Sequence, residues 1–318
     1  MTLSSPQSIA AALPHLLGFH PRESLLSLWM DAGELVVVQR ADLPEACGES
    51  GSEFAHAYLE AARNVSCDEA VFICVTARVP WAEALLEQLA TACSVPTRGA
   101  LVVNGSRVKE AGAAQSWAWV STADRQVAGS VFDAPDRSVH RDRADVVAEL
   151  AFDEGAEWEL PSSDCIPPDA DSMLTVLDAR DFGNPRRRRT LRDITLSVQG
   201  RDLVMWWCAR QSVGERHSLL SALVAGLRST TPQVSAHLAC ATAAVAWMTG
   251  DGVRANAAID RCLAEHPSNA MALMVESAMG AALAPSVFAQ MLLEVEPTAL
   301  GLAAAAVDGP SGPGYSPA

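Results

Sequence analysis

The spacing of apolar residues changes once along this chain, and that change limits the folds open to it. Up to about Val120, compact β-branched runs alternate with segments spaced for one face of a helix. After Gly200 only helical spacing remains. The first part therefore requires a sheet with helices packed on it, and the last part a layer of helices. The expected class is α/β plus all-α.

The local signals place the elements. Ser5-Pro6 opens a helix, with Ser as N-cap and Pro in the first turn, and the helix runs to about Leu17. Gly18 supplies the positive φ that ends it, and Pro21 blocks a restart. Ser24 to Met30 and Glu34 to Arg40 read as strands joined by a short turn at Asp31-Ala32-Gly33. From Ser52, the residues Phe54, Tyr58, Ala61, Ala62 and Val65 share a helical face. Ala70 to Thr76 reads as a strand buried on both sides, Pro80 starts a helix, and Gly99 to Asn104 and Trp117 to Val120 read as further strands. The order is ββαβαββ, a mixed sheet of about five strands over residues 1–125, with parallel strands joined by helical crossovers.

Residues 126–199 read as an acidic, proline-broken linker with one or two short helices, ending in the arginine cluster. Residues 200–307 form the expected helical domain and 308–318 a Gly/Pro/Ser tail. Within the helical part, Ala255, Ile259 and Cys262 before Pro267 take the small–large–small positions of a tetratricopeptide hairpin. The departure from that pattern is in the preceding helix, where alanines and Thr242 stand at the large positions.

Charge and motifs exclude several functions. The net charge of −15 disfavours general nucleic-acid binding. Lys109 is the only lysine, so no Gly-Lys pair exists and a Walker A loop is ruled out. No stretch of 18 apolar residues occurs, and the start lacks a secretory pattern, so a cytoplasmic location without membrane partners is expected. The eight cysteines are scattered singly, which fits neither a disulfide framework nor a zinc ribbon. His237 and Cys240 lie three apart on one helix but lack a third ligand, so no metal and no cofactor are expected. Nucleophile signatures such as G-x-S-x-G are absent.

Three candidate sites remain. The loop Gly18-Phe19-His20-Pro21 is either a helix stop or a functional loop, with His20 as base or ligand and His15 as its nearby candidate partner. Arg186, Arg187, Arg188, Arg189 and Arg192 form a candidate anion patch, or a solvated face neutralised by the acids before it. Trp206 and Trp207 are a candidate partner surface, or half core. A ligand in the α/β part would sit at the strand ends, near Thr76 to Val79 and Asn104 to Arg107.

At Leu17-Gly18-Phe19-His20-Pro21-x-x-Ser24-Leu25, and at Arg40-x-Asp42-Leu43-Pro44, the chain resembles the actinobacterial family carrying domain of unknown function 4192. The likeness continues at Val102 to Arg107, at Ala246-Trp247-x-x-Gly250-Asp251-Gly252-x-Arg254-Ala255, and at Ala258-Ile259-Asp260-Arg261-x-Leu263. The resemblance implies a cytoplasmic bacterial protein and carries over no catalytic residue. The expected function is a non-enzymatic protein-interaction or regulatory module. The alternative is an enzyme or small-molecule binder with its site at the strand ends.

Overall fold

The computed structural model describes residues 5–45, 50–113, 116–132, 139–155, 167 and 169–303. The expected tail, Cys47, Cys165 and residues 133–138, 156–166 and 168 of the acidic stretch lie outside them. The chain divides into two compact units. One is built on residues up to Ala148, with Gly250–Val253 and Met274–Pro285, and the other begins at Glu149.

The first unit opens with α1 (Pro6–Leu17), capped by Ser5 and closed by Gly18 at φ 78. Strands β1 (Ser24–Asp31) and β2 (Glu34–Asp42) form a hairpin whose turn residues, Ala32 and Gly33, have φ 49 and φ 82. Two left-handed residues in succession give the turn a twist that matches paired strands. Then come α2 (Ser50–Ala61), β3 (Glu69–Val75), α3 (Val79–Ala92), β4 (Thr97–Asn104), β5 (Arg107–Glu110) and β6 (Ala118–Trp119). Helices α4 (Thr122–Phe132) and α5 (Arg143–Ala148) complete the unit's main elements.

The sheet is mixed and has six strands in the order β2-β1-β3-β4-β5-β6. It holds one strand more than expected. That strand is β5, which the sequence conceals because Arg107, Lys109 and Glu110 leave only Val108 apolar. The strand directions also differ from a plain parallel core. β3 and β4 pair in parallel, but β1 pairs antiparallel with both β2 and β3. Strands β2, β3 and β4 do run in one direction, with β1 inserted between the first two. This insertion buries Leu25, Leu26, Leu28 and Trp29 of β1 as fully as the central residues of β3.

Both faces of the sheet are covered. Leu26, Leu28, Val71, Ile73, Leu101 and Val103 pack with Leu13 and Leu17 of α1 and Ala128 of α4. Leu25, Trp29, Phe72, Cys74 and Val102 pack with Tyr58 of α2 and Leu85, Leu86 and Leu89 of α3. Alternate residues of one strand thus feed opposite cores, as the pleat requires. The polar exception on the second face, Ser27, is satisfied by the Tyr58 hydroxyl at 3.0 Å.

The second unit is helical. Its main elements are α6 (Ala170–Asp178), α7 (Pro185–Thr195), α8 (Val198–Ala209), α9 (Val213–Arg228) and α10 (Ala236–Met248). Then follow α11 (Gly252–Glu265), α12 (Ala270–Gly280) and α13 (Pro285–Leu293), with part of α12 falling in the first unit. Helix α10 packs against α7, α8 and α9 and is buried at every position but His237. A helix enclosed on all sides has no polar face. Its alanines let three neighbours approach closely, which accounts for the missing large residues noted in the sequence. No helix among the described residues is long and apolar enough to cross a membrane.

Residues 126–199 contain most of α4 and all of α5, α6 and α7. Several of the described acids here have partners. Asp169 caps α6 by accepting from Ser172 N at 2.8 Å, and Asp178 accepts from Trp207 Nε1 at 2.8 Å. Glu149 pairs with Arg254 at 2.5 Å, and Asp153 with Arg228 at 3.7 Å. The Asp181–Arg187 pair, at 3.5 Å, and the Asp193–Arg192 pair, at 2.6 Å, join acids of this stretch to the arginine run.

The turn from α7 into α8 sets a strict size limit. A Cβ added at Gly200 would overlap the carbonyl oxygen of Ile194, which is backbone and cannot swing aside. Gly214 on α9 faces open space. Gly200→Ala should therefore destabilise by about 3 kcal/mol or more, at the upper end for overpacking. Gly214→Ala should be neutral or stabilise by up to about 1 kcal/mol. Denaturant melts of the two variants check the contrast.

Candidate functional site

The loop after α1 is built as an anchor. The Gly18 N–H donates to Pro14 O at 2.8 Å, closing the helix. Phe19 is buried against the α1 side of the sheet, and the Arg40 guanidinium lies 5.8 Å from its ring centre. Phe19 also forms a parallel bridge with His140: His140 N donates to Gly18 O at 2.8 Å, and His20 N donates to His140 O at 3.1 Å. His20 itself is exposed and Pro21 half-buried. The His15 ring packs beside Gly129 of α4, so each histidine has its own neighbourhood.

The strand-end corner named in the sequence is a polar latch. Glu23 sits at φ 38, a left-handed value that costs a residue with a Cβ of order 1 kcal/mol. Its carboxylate accepts from Thr76 Oγ1 at 2.9 Å on both oxygens and from Arg78 Nη2 at 2.8 Å. Arg78 also donates to Pro44 O at 2.7 Å and stacks on Trp81, 4.7 Å from the ring centre. One guanidinium thereby ties together the segments before β1, after β2 and after β3. Beside it, Arg40 donates to Ser24 Oγ at 2.8 Å and pairs with Asp42.

The far edge of the sheet carries a stack that motif reading does not reveal. Arg107 on β5 lies 5.4 Å from the Trp117 ring and 5.8 Å from the Trp119 ring, and Lys109 lies 5.4 Å from Trp117. Lys109 is held from behind by Glu83 of α3 at 2.7 Å, and hydrogen bonding to that lysine lowers the Glu83 carboxyl. Trp119 ends the stack on the outermost strand and is 69% exposed, the most exposed large hydrophobic side chain among the described residues. The sequence signal was present in the alternation Trp117-Ala118-Trp119, but alternation identifies a strand and not which face is open.

In the helical unit, the expected partner surface is interior. Trp206 and Trp207 are both buried: Trp206 donates to Val295 O at 3.1 Å, and Trp207 stacks edge-on against Phe182 at 5.8 Å. Arg210 covers Trp206 at 3.6 Å.

The arginine cluster splits by helical face. Asn184 caps α7, and Pro185, Arg188, Arg189 and Arg192 then fall along one side. With Ala225, Gly226 and Ser229 of α9 and its cap, they line a cavity of about 230 Å³. Arg186 and Arg187 are exposed and do not line it. Arg192 is 4% exposed and pairs with the equally buried Asp193 at 2.6 Å. Burial pushes the Asp193 carboxyl up, and Arg192 pulls it partly back.

Among the described residues no group of three or more His, Cys, Asp or Glu side chains is placed to hold a metal. The Cys240 thiol is pushed up to about 12, first by burial, and burial also lowers His237.

A family model described as "Domain of unknown function (DUF4192)" matches residues 6–195 and, in a second overlapping match, residues 109–286. No curated protein and no solved structure matches the chain.

Two stability outcomes follow from this geometry. Gly18→Val should lower stability by about 1–3 kcal/mol, because a β-branched residue is forced into left-handed backbone. A thermal melt reads it. Asp193→Ala should cost about 3 kcal/mol by leaving a buried guanidinium uncompensated, whereas Arg192→Met with Asp193→Leu should recover most of that loss. Because the folded chain holds the Asp193 proton more tightly than the unfolded chain, this residue's contribution declines as pH rises from the ordinary carboxylate range to its raised value. Denaturant melts across that range, wild type against the double variant, measure the slope.

Proposed function

The chain belongs to the DUF4192 family, and from that premise we propose that it acts as a non-enzymatic interaction module of the cytoplasm, docking a partner protein on the open edge of its sheet. The observation that carries this reading is Trp119, solvent-exposed on the outermost strand with Arg107 stacked against it. Tryptophan and arginine are enriched among the residues that dominate interface energetics, tryptophan through its large rigid area and arginine through its planar hydrogen-bonding fork. The outer side of β6 also presents backbone groups that an extended partner segment can pair with. The tetratricopeptide-like reading of α10 and α11 belongs to the same proposal. Ala255, Ile259 and Cys262 are buried along α11, where such a hairpin packs its second helix on its first.

A second reading, a small-molecule site at the strand ends, is favoured by the left-handed Glu23 held between Thr76 and Arg78. Strained backbone of this kind gathers at ligand sites.

The test is a photo-crosslinking amino acid at position 119 of the full chain, in its native cells, with position 213 as an equally exposed control. Discrete adducts are expected from position 119 alone. The partner so identified, once purified, should bind Trp119→Ala at least ~10-fold more weakly, with the melting midpoint unchanged. Absence of a 119-specific adduct would sink this reading.

A further inference from the structure

We propose that the cavity between α7 and the end of α9 is a binding site for a small phosphate-bearing ligand, separate from the sheet edge and independent of the reading given to it. Three of the seven lining residues are arginines. Among the described residues that line it there is no carboxylate. The volume, about 230 Å³, matches several water molecules of liquid, enough for a phosphate group and a short body but small for a drug-sized ligand.

The three arginines contribute differently. Arg192 is the fixed wall. Its stem runs past Gly226, where an added Cβ would lie 3.4 Å from both Arg192 Cβ and Cγ, and Asp193 holds its guanidinium at 2.6 Å. A cation anchored in this way keeps its place whether or not a ligand is bound. Arg188 and Arg189, each about one turn nearer the helix start, are half-buried and exposed respectively. The lining runs from Pro185 at the start of α7 to Arg192 in its last turn, so the helix dipole favours an anion only at the Pro185 end of the site. The carbonyls at the end of α9 oppose that field, and the Gly226 carbonyl is already occupied by the Ser229 and Thr230 hydroxyls at 3.1 Å and 2.7 Å. Guanidinium forks match phosphate oxygens in pairs, and a cluster of three cations favours a multiply charged phosphate over a singly charged carboxylate, which can use the same fork.

The same helix supplies an internal control. Arg186 and Arg187 carry equal charge but lie outside the cavity, and Arg187 pairs with Asp181. Isothermal titration of the full chain with inorganic phosphate, pyrophosphate and a nucleoside 5′-monophosphate, at low and moderate salt, reads the site directly. Saturable binding of one or more probes is expected. Arg188→Ala with Arg189→Ala should weaken it at least ~10-fold, and Arg186→Ala with Arg187→Ala should change it less than ~2-fold. Pyrophosphate or the nucleotide binding more tightly than phosphate identifies an ester or diphosphate as the natural chemistry; phosphate binding best identifies the free ion. A thermal melt of both double variants without ligand checks that each is folded. No saturable binding, or equal loss in both pairs, overturns the proposal. A single-stranded RNA oligomer serves as a last arm. RNA binding lost equally in both pairs marks a diffuse basic surface and also overturns it.

Discussion

One guanidinium can satisfy several backbone carbonyls that no hydrogen-bond ladder reaches, and both units of this protein depend on that capacity. In the sheet unit Arg78 joins Glu23 to Pro44 O. In the helical unit Arg216 donates to Cys208 O and Ala209 O at the end of α8 and to Met248 O at the end of α10. Arg261 reaches Leu227 O and Thr230 O at 2.9 Å and 2.6 Å, and also Leu150 O. Burial lowers the Arg261 guanidinium, yet arginine retains its charge where lysine would surrender it. Each of these side chains fixes where two or three segments meet. The basic residues are lopsided, with a single lysine among 23. In the fold, planar forks with five donors do work that an ammonium group could not.

Much of the architecture was legible because its signals are local. Ser5-Pro6 and Gly18 bound α1, Ala32-Gly33 turn the first hairpin, and the apolar run at Ala70 marks a central strand. What escaped was non-local. Nothing near Ser24 or Glu34 says that β1 inserts between β2 and β3, because that pairing joins residues some fifty positions apart, such as Ser24 and Val75. β5 escaped for a different reason: Arg107 and Lys109 occupy the positions where a strand detector expects apolar side chains, and they stack on Trp117 instead.

The candidate sites divide along the same line. The spacing of Arg188, Arg189 and Arg192 announces a shared helical face, but Gly226 and Ser229, which close the cavity opposite, arrive only through tertiary packing. Adjacent tryptophans at 206 and 207 look identical to exposed ones in sequence, and only their partners Val295 and Asp178 reveal them as interior. The acidic stretch teaches the converse. Its composition suggests solvated charge, while Asp169 caps a helix, Asp178 accepts from the Trp207 indole, and Glu149 and Asp153 pair with arginines.

The position of β1 also bears on how the protein stays dispersed. Its run Leu25, Leu26, Leu28 and Trp29 is among the most apolar extended segments of the chain, and β2 alone stands between its outer row of amide and carbonyl groups and the solvent. β2 is half-buried along most of its length and bears Glu34, Gln39, Arg40 and Asp42, polar side chains that discourage another sheet from pairing there. It acts as a guard strand. Proteolytic nicking at the Ala32-Gly33 turn, or a lesion that peels β2 away, would uncover an aggregation-prone edge long before the rest of the sheet unfolded. The integrity of that hairpin therefore governs whether copies of the chain keep apart, a property distinct from the melting temperature.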